Sequence, residues 1–292
     1  MSLVELPRHS WGPVDLDESR ATELLEAGTV LYLPHLRFEL AAGEAPLLSP
    51  AYGDGKAKNI SYRGPNQRLQ GAQGTPDELE ALTGMIVRFR TQAEQLIHQL
   101  FPTYRGFTRT GFTSYRPFEV ETRSTSWRQD DTRLHVDSFP SNPTRGLRLL
   151  RVFSNIHPKD TPRVWRIGEP FADYAWRFLP KTRGLWPLEA SVLSLLGLTK
   201  SRRSPYDHLM GQLHDLGKGD LDYQQKAPQQ TVAFPPGSTW VCFSDQVLHA
   251  VMAGQFLLEQ TFYLKPEHLK SSDQGPLAVL ERLTGQTHLA RG

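Results

Sequence analysis

His135 and Asp137 stand two residues apart in the tripeptide His135-Val136-Asp137, and a second imidazole, His249, follows far downstream. Residues i and i+2 of a β-strand point to the same face. The imidazole and the carboxylate can therefore reach one point in space, and His249 can approach it from another strand of a closed or stacked sheet. Two imidazoles and one carboxylate on one side of a metal, with the other positions open, form the ligand set of non-haem Fe(II) oxygenases. Zinc held by three protein ligands is the competing metal, and a metal-free strand histidine beside an ordinary acid is the plainest alternative. With 10 His and 31 acidic residues in 292, a His-x-Asp/Glu pattern is expected about once by chance. The tripeptide gains weight only from its surroundings.

Those surroundings must supply strands. Early in the chain the patterns are mixed. Residues 17–27 read as a short helix with acids in the first turn and Gly28 as its stop, and residues 29–33 as a strand ending at Pro34. Residues 50–75, rich in Gly, Asn and Gln, read as a long loop. Residues 76–100 form the strongest predicted helix, with Leu79, Leu82, Ile86, Phe89, Ala93 and Leu96 at helical spacing. Beyond Arg109 the character changes. Residues 110–115, 145–156, 231–233, 237–244 and 256–264 are short β-like runs between Pro-, Asn- and Asp-containing turns, the last two flanking a turn region with His249 and Gly254. A short helix at 277–283 closes the chain. The expectation is an α+β protein with a double-stranded β-helix (jelly-roll, cupin-like) core over about 110–265, flanked by helices, and a helical portion 1–109 packed on it, all one domain over 1–292.

Composition narrows the function classes. Hydrophobic content of 38% with 22% charged residues describes a soluble globular chain, and a formal charge of +2 gives no electrostatic case for a nucleic-acid partner. The single cysteine, Cys242, excludes an intramolecular disulfide and a multi-cysteine zinc site; its neighbours Trp240, Val241 and Phe243 make it a buried structural thiol. No apolar leader and no apolar run of membrane-spanning length occur, which gives a cytoplasmic expectation. There is no GxGxxG, GxxxxGK[ST] or GxSxG motif, so nucleotide-binding and serine-hydrolase readings lack their anchors. His214-Asp215 with Asp220 and Asp222 offers a second metal-like cluster, but Gly217-Lys218-Gly219 within it reads as a polar turn.

The stretches TSWRQDDTRLHVDSFPSNPTRGLRLLRVFSNIHP, TPRVWRIGEPF and FPPGSTWVCFSDQVLHAVMAGQFLLEQTFYL resemble the Kdo hydroxylase family. Its members are Fe(II)- and 2-oxoglutarate-dependent dioxygenases acting on 3-deoxy-D-manno-oct-2-ulosonic acid (Kdo) in lipopolysaccharide precursors. The resemblance runs from roughly Thr110 to Leu264. It implies His135, Asp137 and His249 as iron ligands. It also implies O2 and 2-oxoglutarate as cosubstrates, succinate and CO2 as coproducts, and a talo-configured octulosonic acid hydroxylated at C3. No side chain is expected to act as general acid or base. A dioxygenase with another target, such as a protein side chain, and a jelly-roll binding module without turnover are the alternatives.

A 2-oxoglutarate enzyme needs a cation for the distal carboxylate of its cosubstrate, preferably a bidentate Arg. Many members of the superfamily carry it on the last strand, shortly after the distal His. Here that place holds Gln260, Thr261, Phe262 and Tyr263, with Lys265 at its edge. The search moves to the strand after HVD. Alternation puts Arg145, Arg151 and Asn155 on one face and Arg148 on the other. Arg151 is the favoured anchor with Asn155 as a polar contact, then Arg148, then Arg116; a structural ion pair is the competing role for Arg151. For an acidic substrate, a Kdo-containing lipid A precursor, Arg128, Arg133 and Arg166 are the leading contacts, with Arg123 and Arg163 beside them. Leu185, Leu188, Val192, Leu195 and Leu196 form an apolar stripe between Trp186 and the basic Lys200, Arg202 and Arg203. Packing on the barrel is the ordinary role for such a helix; peripheral contact with the anionic inner face of the cytoplasmic membrane is the alternative that a lipid-linked substrate favours. Oligomeric state leaves no signature in the sequence.

Overall fold

The structure is a computed structural model that describes residues 2–12, 18–63, 68–120, 126–138, 142–184 and 203–291. The strands are β1 (Leu3–Glu5), β2 (Val30–Leu33), β3 (Ile60–Tyr62), β4 (Arg109–Arg116), β5 (Arg148–Asn155), β6 (Arg163–Gly168), β7 (Gln229–Phe234), β8 (Thr239–Phe243), β9 (His249–Ala253) and β10 (Leu257–Leu264). The helices are α1 (Glu18–Glu26), α2 (Pro76–Leu100), α3 (Phe171–Phe178), α4 (Pro205–Gly219), α5 (Leu221–Lys226) and α6 (Pro276–Thr284). Seven strands form a major sheet in the order β1-β2-β8-β5-β10-β4-β3, and three form a minor sheet in the order β7-β6-β9. All pairings except the parallel β1–β2 are antiparallel. This is the jelly-roll core of an α+β protein.

Side-chain alternation sorts the core into layers. On β5 and β8, Leu150, Val152, Val241 and Phe243 face the long helix α2 and pack with its Leu82, Ile86, Phe89 and Leu96. Their neighbours Phe153, Trp240 and Cys242 face the other way and fill the space between the sheets with Trp165, Phe234 and Val251. On the far side of the minor sheet, Leu134, Val136, Leu248 and Ala250 pack against α3, α4 and α6. Period two thus decides which layer each residue serves.

The long helices start where capping chemistry places them. Thr75 caps α2, accepting from Glu78 N while Glu78 accepts from Thr75 N at 2.8 Å, and Pro76 occupies the first turn, where no amide proton is needed. Ser204, Pro205 and Asp207 repeat the device at α4.

Several expectations from sequence need correction. Residues 50–75 contain β3, and residues 2–62 contribute three strands to the edges of the major sheet. His249 opens β9 rather than lying in a turn. His214, Gly217, Lys218 and Gly219 belong to α4, not to a polar turn. Gly217 is required there by a close approach: a Cβ would stand 2.1 Å from the Tyr174 hydroxyl oxygen. The apolar stripe at 185–196 and Arg123 lie outside the described residues.

Candidate metal centre

The segment before Ser138 runs alongside β9. His135 N donates to His249 O at 3.0 Å and His249 N to His135 O at 2.9 Å, so the two histidines face each other as an antiparallel hydrogen-bonded pair. Their side chains leave on the same face. Asp137, two residues on, leaves on that face too, and its amide donates to Ser244 O at 2.9 Å. Leu134 and Val136 take the opposite face, in the helix-side core. One ligand atom from each of His135, Asp137 and His249 lies within 4.8 Å of the others. His135 and His249 are buried, and Asp137 keeps 14% of its side chain accessible.

The imidazoles are prepared as ligands. His135 Nδ1 donates to Arg133 O at 2.7 Å and His249 Nδ1 to Val247 O at 2.9 Å. A carbonyl only accepts, so Nδ1 carries a proton in both rings, and in the neutral tautomer Nε2 holds the lone pair. Both Nε2 atoms face Asp137, at 3.9 Å from Oδ1 for His135 and 4.0 Å from Oδ2 for His249. Burial, with His249 and Lys218 nearby, pushes the pKa of His135 well below its ordinary value, which keeps the ring neutral. Burial opposes ionisation of Asp137, but the Arg151 guanidinium, first among the neighbouring groups, holds the carboxyl well below the usual carboxylate range. Asp137 Oδ2 is buried and accepts no hydrogen bond. Two Nε2 atoms and an ionised carboxylate converging on one point fit a divalent cation. Trp165 stacks on the His249 ring, centroids 5.0 Å apart, and limits its rotation.

Arg151 projects from β5 towards this cluster. Its Nη1 lies 3.1 Å from Asp137 Oδ2 and 3.0 Å from Glu259 Oε1. Glu259, on β10, also accepts from Arg116 Nε at 3.0 Å, and Arg116 lies 3.8 Å from Asp131, which pairs with Lys58. Three carboxylates and three cations thus alternate from Asp137 to Lys58 (Asp137, Arg151, Glu259, Arg116, Asp131, Lys58). The alternation offsets the cost of burying each charge. Burial raises and the arginines lower the pKa of Glu259, with the net shift downward. Sequence reasoning missed Glu259; its signal was a single acid inside the apolar run Leu257-Leu258-Glu259.

The other expected contacts are distributed elsewhere. Arg148 is the clearest correction: it lies on the α2 face of the sheet, its Nε donating to Asp245 at 2.7 Å and its Nη2 to Gln246 at 2.6 Å, with the guanidinium over the Phe243 ring. Asn155 spends its amide on Thr161 O and Phe234 O, fastening the strand ends and not the metal cluster. Arg166 points into the helix layer and holds Thr132 O and Gln224 O. Arg133 holds Asp130 and Lys218 O, and Arg163 donates to Gly254 O. Arg128 pairs with Asp215 at 2.9 Å and is 60% exposed.

A jelly roll carrying two histidines and one carboxylate on one face of the metal position defines the class of non-haem Fe(II) oxygenases. Within it, residues 10–287 match the family described as 3-deoxy-D-manno-oct-2-ulosonic acid (Kdo) hydroxylase, and the chain belongs to that family. It is 45% identical to the Kdo hydroxylase KdoO, a non-haem Fe(II) α-ketoglutarate-dependent dioxygenase. Against the KdoO complex with α-ketoglutarate and Fe(III) the TM-score is 0.94, over 98% of this chain and 97% of that one. Against the cobalt(II) complex it is 0.96, over 100% and 99%. Among curated proteins the chain finds no match.

Proposed function

We propose that this protein hydroxylates C3 of Kdo in a lipid A precursor of the lipopolysaccharide inner core, consuming O2 and 2-oxoglutarate with Fe(II) and releasing succinate and CO2. The observation that carries the reading is the paired His135–His249 bridge, with both Nε2 lone pairs aimed at the Asp137 carboxylate. The chain that holds it is 45% identical throughout to KdoO. His135 and His249 would hold iron through Nε2 and Asp137 through its carboxylate. Bound iron supplies O2 activation coupled to oxidative decarboxylation of the 2-oxo acid.

The remaining work falls to the protein. Arg151 presents a fixed guanidinium for the distal carboxylate of 2-oxoglutarate, and Glu259 with Arg116 holds that guanidinium in place. The aromatic layer of Phe153, Trp165, Phe234 and Trp240 keeps the side of the cluster between the sheets dry. Arg128 stays as a contact for the acidic substrate. Arg133, Arg166, Asn155 and Arg148, with the partners given above, serve the scaffold in this reading. A lipid-linked substrate also implies peripheral contact with the anionic face of the cytoplasmic membrane; Trp176, 72% exposed beside Arg177 on α3, supports it. No helix among the described residues is long and apolar enough to cross a membrane. Flotation with phosphatidylglycerol vesicles tests the contact, and a protein that stays at the bottom of the gradient removes it.

The test of the activity is succinate formation from 2-oxoglutarate and Fe(II), with and without Kdo2-lipid IVA. Succinate that depends on the lipid, with one oxygen gained on a Kdo residue, is the expected result. Turnover without response to the lipid would leave a dioxygenase of another substrate, and failure to bind iron would leave a binding module.

A further inference from the structure

Helix α4 runs along the segment that carries the metal ligands. Gly211 sits opposite Ser138, His214 against His135, and Lys218 beside Arg128, whose carbonyl accepts from Lys218 Nζ at 2.9 Å. Positions 211, 214 and 218 share one helical face. His214 meets the His135 ring edge to face, centroids 5.5 Å apart and planes at 86°. Its Nδ1 donates to Asp215 Oδ1 at 3.0 Å, and Asp215 is held in turn by Arg128 Nε at 2.9 Å. A carboxylate only accepts, so Nδ1 carries a proton, and in the neutral tautomer the lone pair is on Nε2. His214 is therefore a buried, oriented imidazole against a metal ligand, and it does not belong to the ligand cluster. On the other side of this pair, Arg128 and Asp215 line a cavity of about 640 Å³ together with Trp127, Lys181, Arg183 and Arg203. The His214–Asp215 pair stands between the candidate metal ligands and this polar cavity, which Asp207 and Asp220 also line.

We propose that His214 is a substrate-contacting residue whose Nε2 accepts a hydrogen bond from a sugar hydroxyl and so fixes which carbon of a polyhydroxylated sugar acid faces the metal cluster. This rests on the Kdo hydroxylase reading above. Hydroxylation of one ring methylene requires the ring to be held close to the reacting centre, because small misplacements lose most of the rate. A pyranose offers hydroxyl donors on the carbons around that methylene. A residue touching His135 is close enough to hold one of them. Asp215, itself held by Arg128, is a positioning residue that fixes the tautomer and the plane of the ring.

The ring and the hydrogen bond can be separated by substitution. His214→Phe keeps an aromatic edge against His135 and removes the acceptor, whereas His214→Gln removes the ring and keeps an acceptor. KM is measured separately for Kdo2-lipid IVA and for 2-oxoglutarate by succinate formation. His214→Phe is expected to raise the lipid KM about tenfold more than the 2-oxoglutarate KM, and His214→Gln to recover most of that loss. Equal rises in both KM values, or an unchanged lipid KM, would overturn the proposal and leave His214 as a prop for His135. Asp215→Asn, on a half-exposed residue, guards against a Phe variant that does not fold. It is expected to raise the lipid KM about threefold, and no change there counts equally against the proposal. A wild-type enzyme that makes succinate without responding to the lipid removes the Kdo reading itself, and this assignment with it.

Discussion

Arg148 and Arg151 lie three residues apart on one strand, and both are buried in ion pairs, yet they serve opposite sides of the molecule. Arg148 faces α2 and closes on Asp245, Gln246 and the Phe243 ring. Arg151 faces the space between the sheets and closes on Asp137 and Glu259. The difference is one of parity, because a strand sends residues of odd separation to opposite faces. A buried guanidinium is in itself neutral between structural and functional roles. Its partners decide: Asp245 lies with the scaffold, whereas Asp137 lies in the candidate metal cluster.

This contrast can be broken by experiment. The largest expected effect is at the metal side: Asp137→Ala removes the carboxylate that completes the cluster, and iron-dependent succinate formation should fall to background. Retained turnover would show that the cluster is not the metal site. Next, Arg148→Ala leaves Asp245 buried without its partner and should cost about 3–5 kcal/mol in denaturant unfolding. The folded fraction should keep its 2-oxoglutarate KM; a raised KM would erase the distinction between the two faces.

Arg151→Lys keeps a charge and loses the planar fork. A tenfold or greater rise in 2-oxoglutarate KM, on the order of 1.4 kcal/mol, is expected with a smaller stability loss than Arg148→Ala. An unchanged KM would reduce Arg151 to a structural ion pair like its neighbour. The smallest effect concerns pH. Glu259 and Asp131 have carboxyl pKa values below their ordinary 4.5 and 3.8, burial opposing and the neighbouring cations outweighing it. In acid the unfolded chain therefore takes up protons before the native one does. The stability these groups contribute is present above about pH 4.5 and is lost as pH falls through their ordinary and then their native pKa values. Glu259→Gln should flatten that acid slope in thermal unfolding; an unaltered slope would remove Glu259 from the account.

Much of the site was legible in the sequence because it rests on short-range periodicity. The i, i+2 spacing of His135 and Asp137, the alternation that separates Arg151 from Arg148, and the apolar stripe of α2 need no knowledge of distant contacts. Where reading from sequence failed, long-range packing had overridden local preference. Residues 205–219 carry glycines at 211, 217 and 219 and look like poor helix. They are helical because Ser204 caps the first turn, and Gly217 is kept there because Tyr174 approaches too closely for any Cβ. His249 looked like a turn residue because the partner that makes it a strand residue, His135, is far away in sequence.

The sequence by itself determined which chemistry was available: two imidazoles, one carboxylate, the arginines of β5, and the family to which their setting belongs. It could do so because residue type and strand parity are local properties. Only the tertiary structure decided which arginine shares a carboxylate with the metal cluster, that Glu259 and Arg116 extend that pairing to Lys58, and that α4 lays His214 against His135. Those facts depend on β4, β5 and β10 lying side by side and on a helix crossing the ligand strand. Such pairings are set by burial of distant surfaces against one another, and no local pattern encodes them.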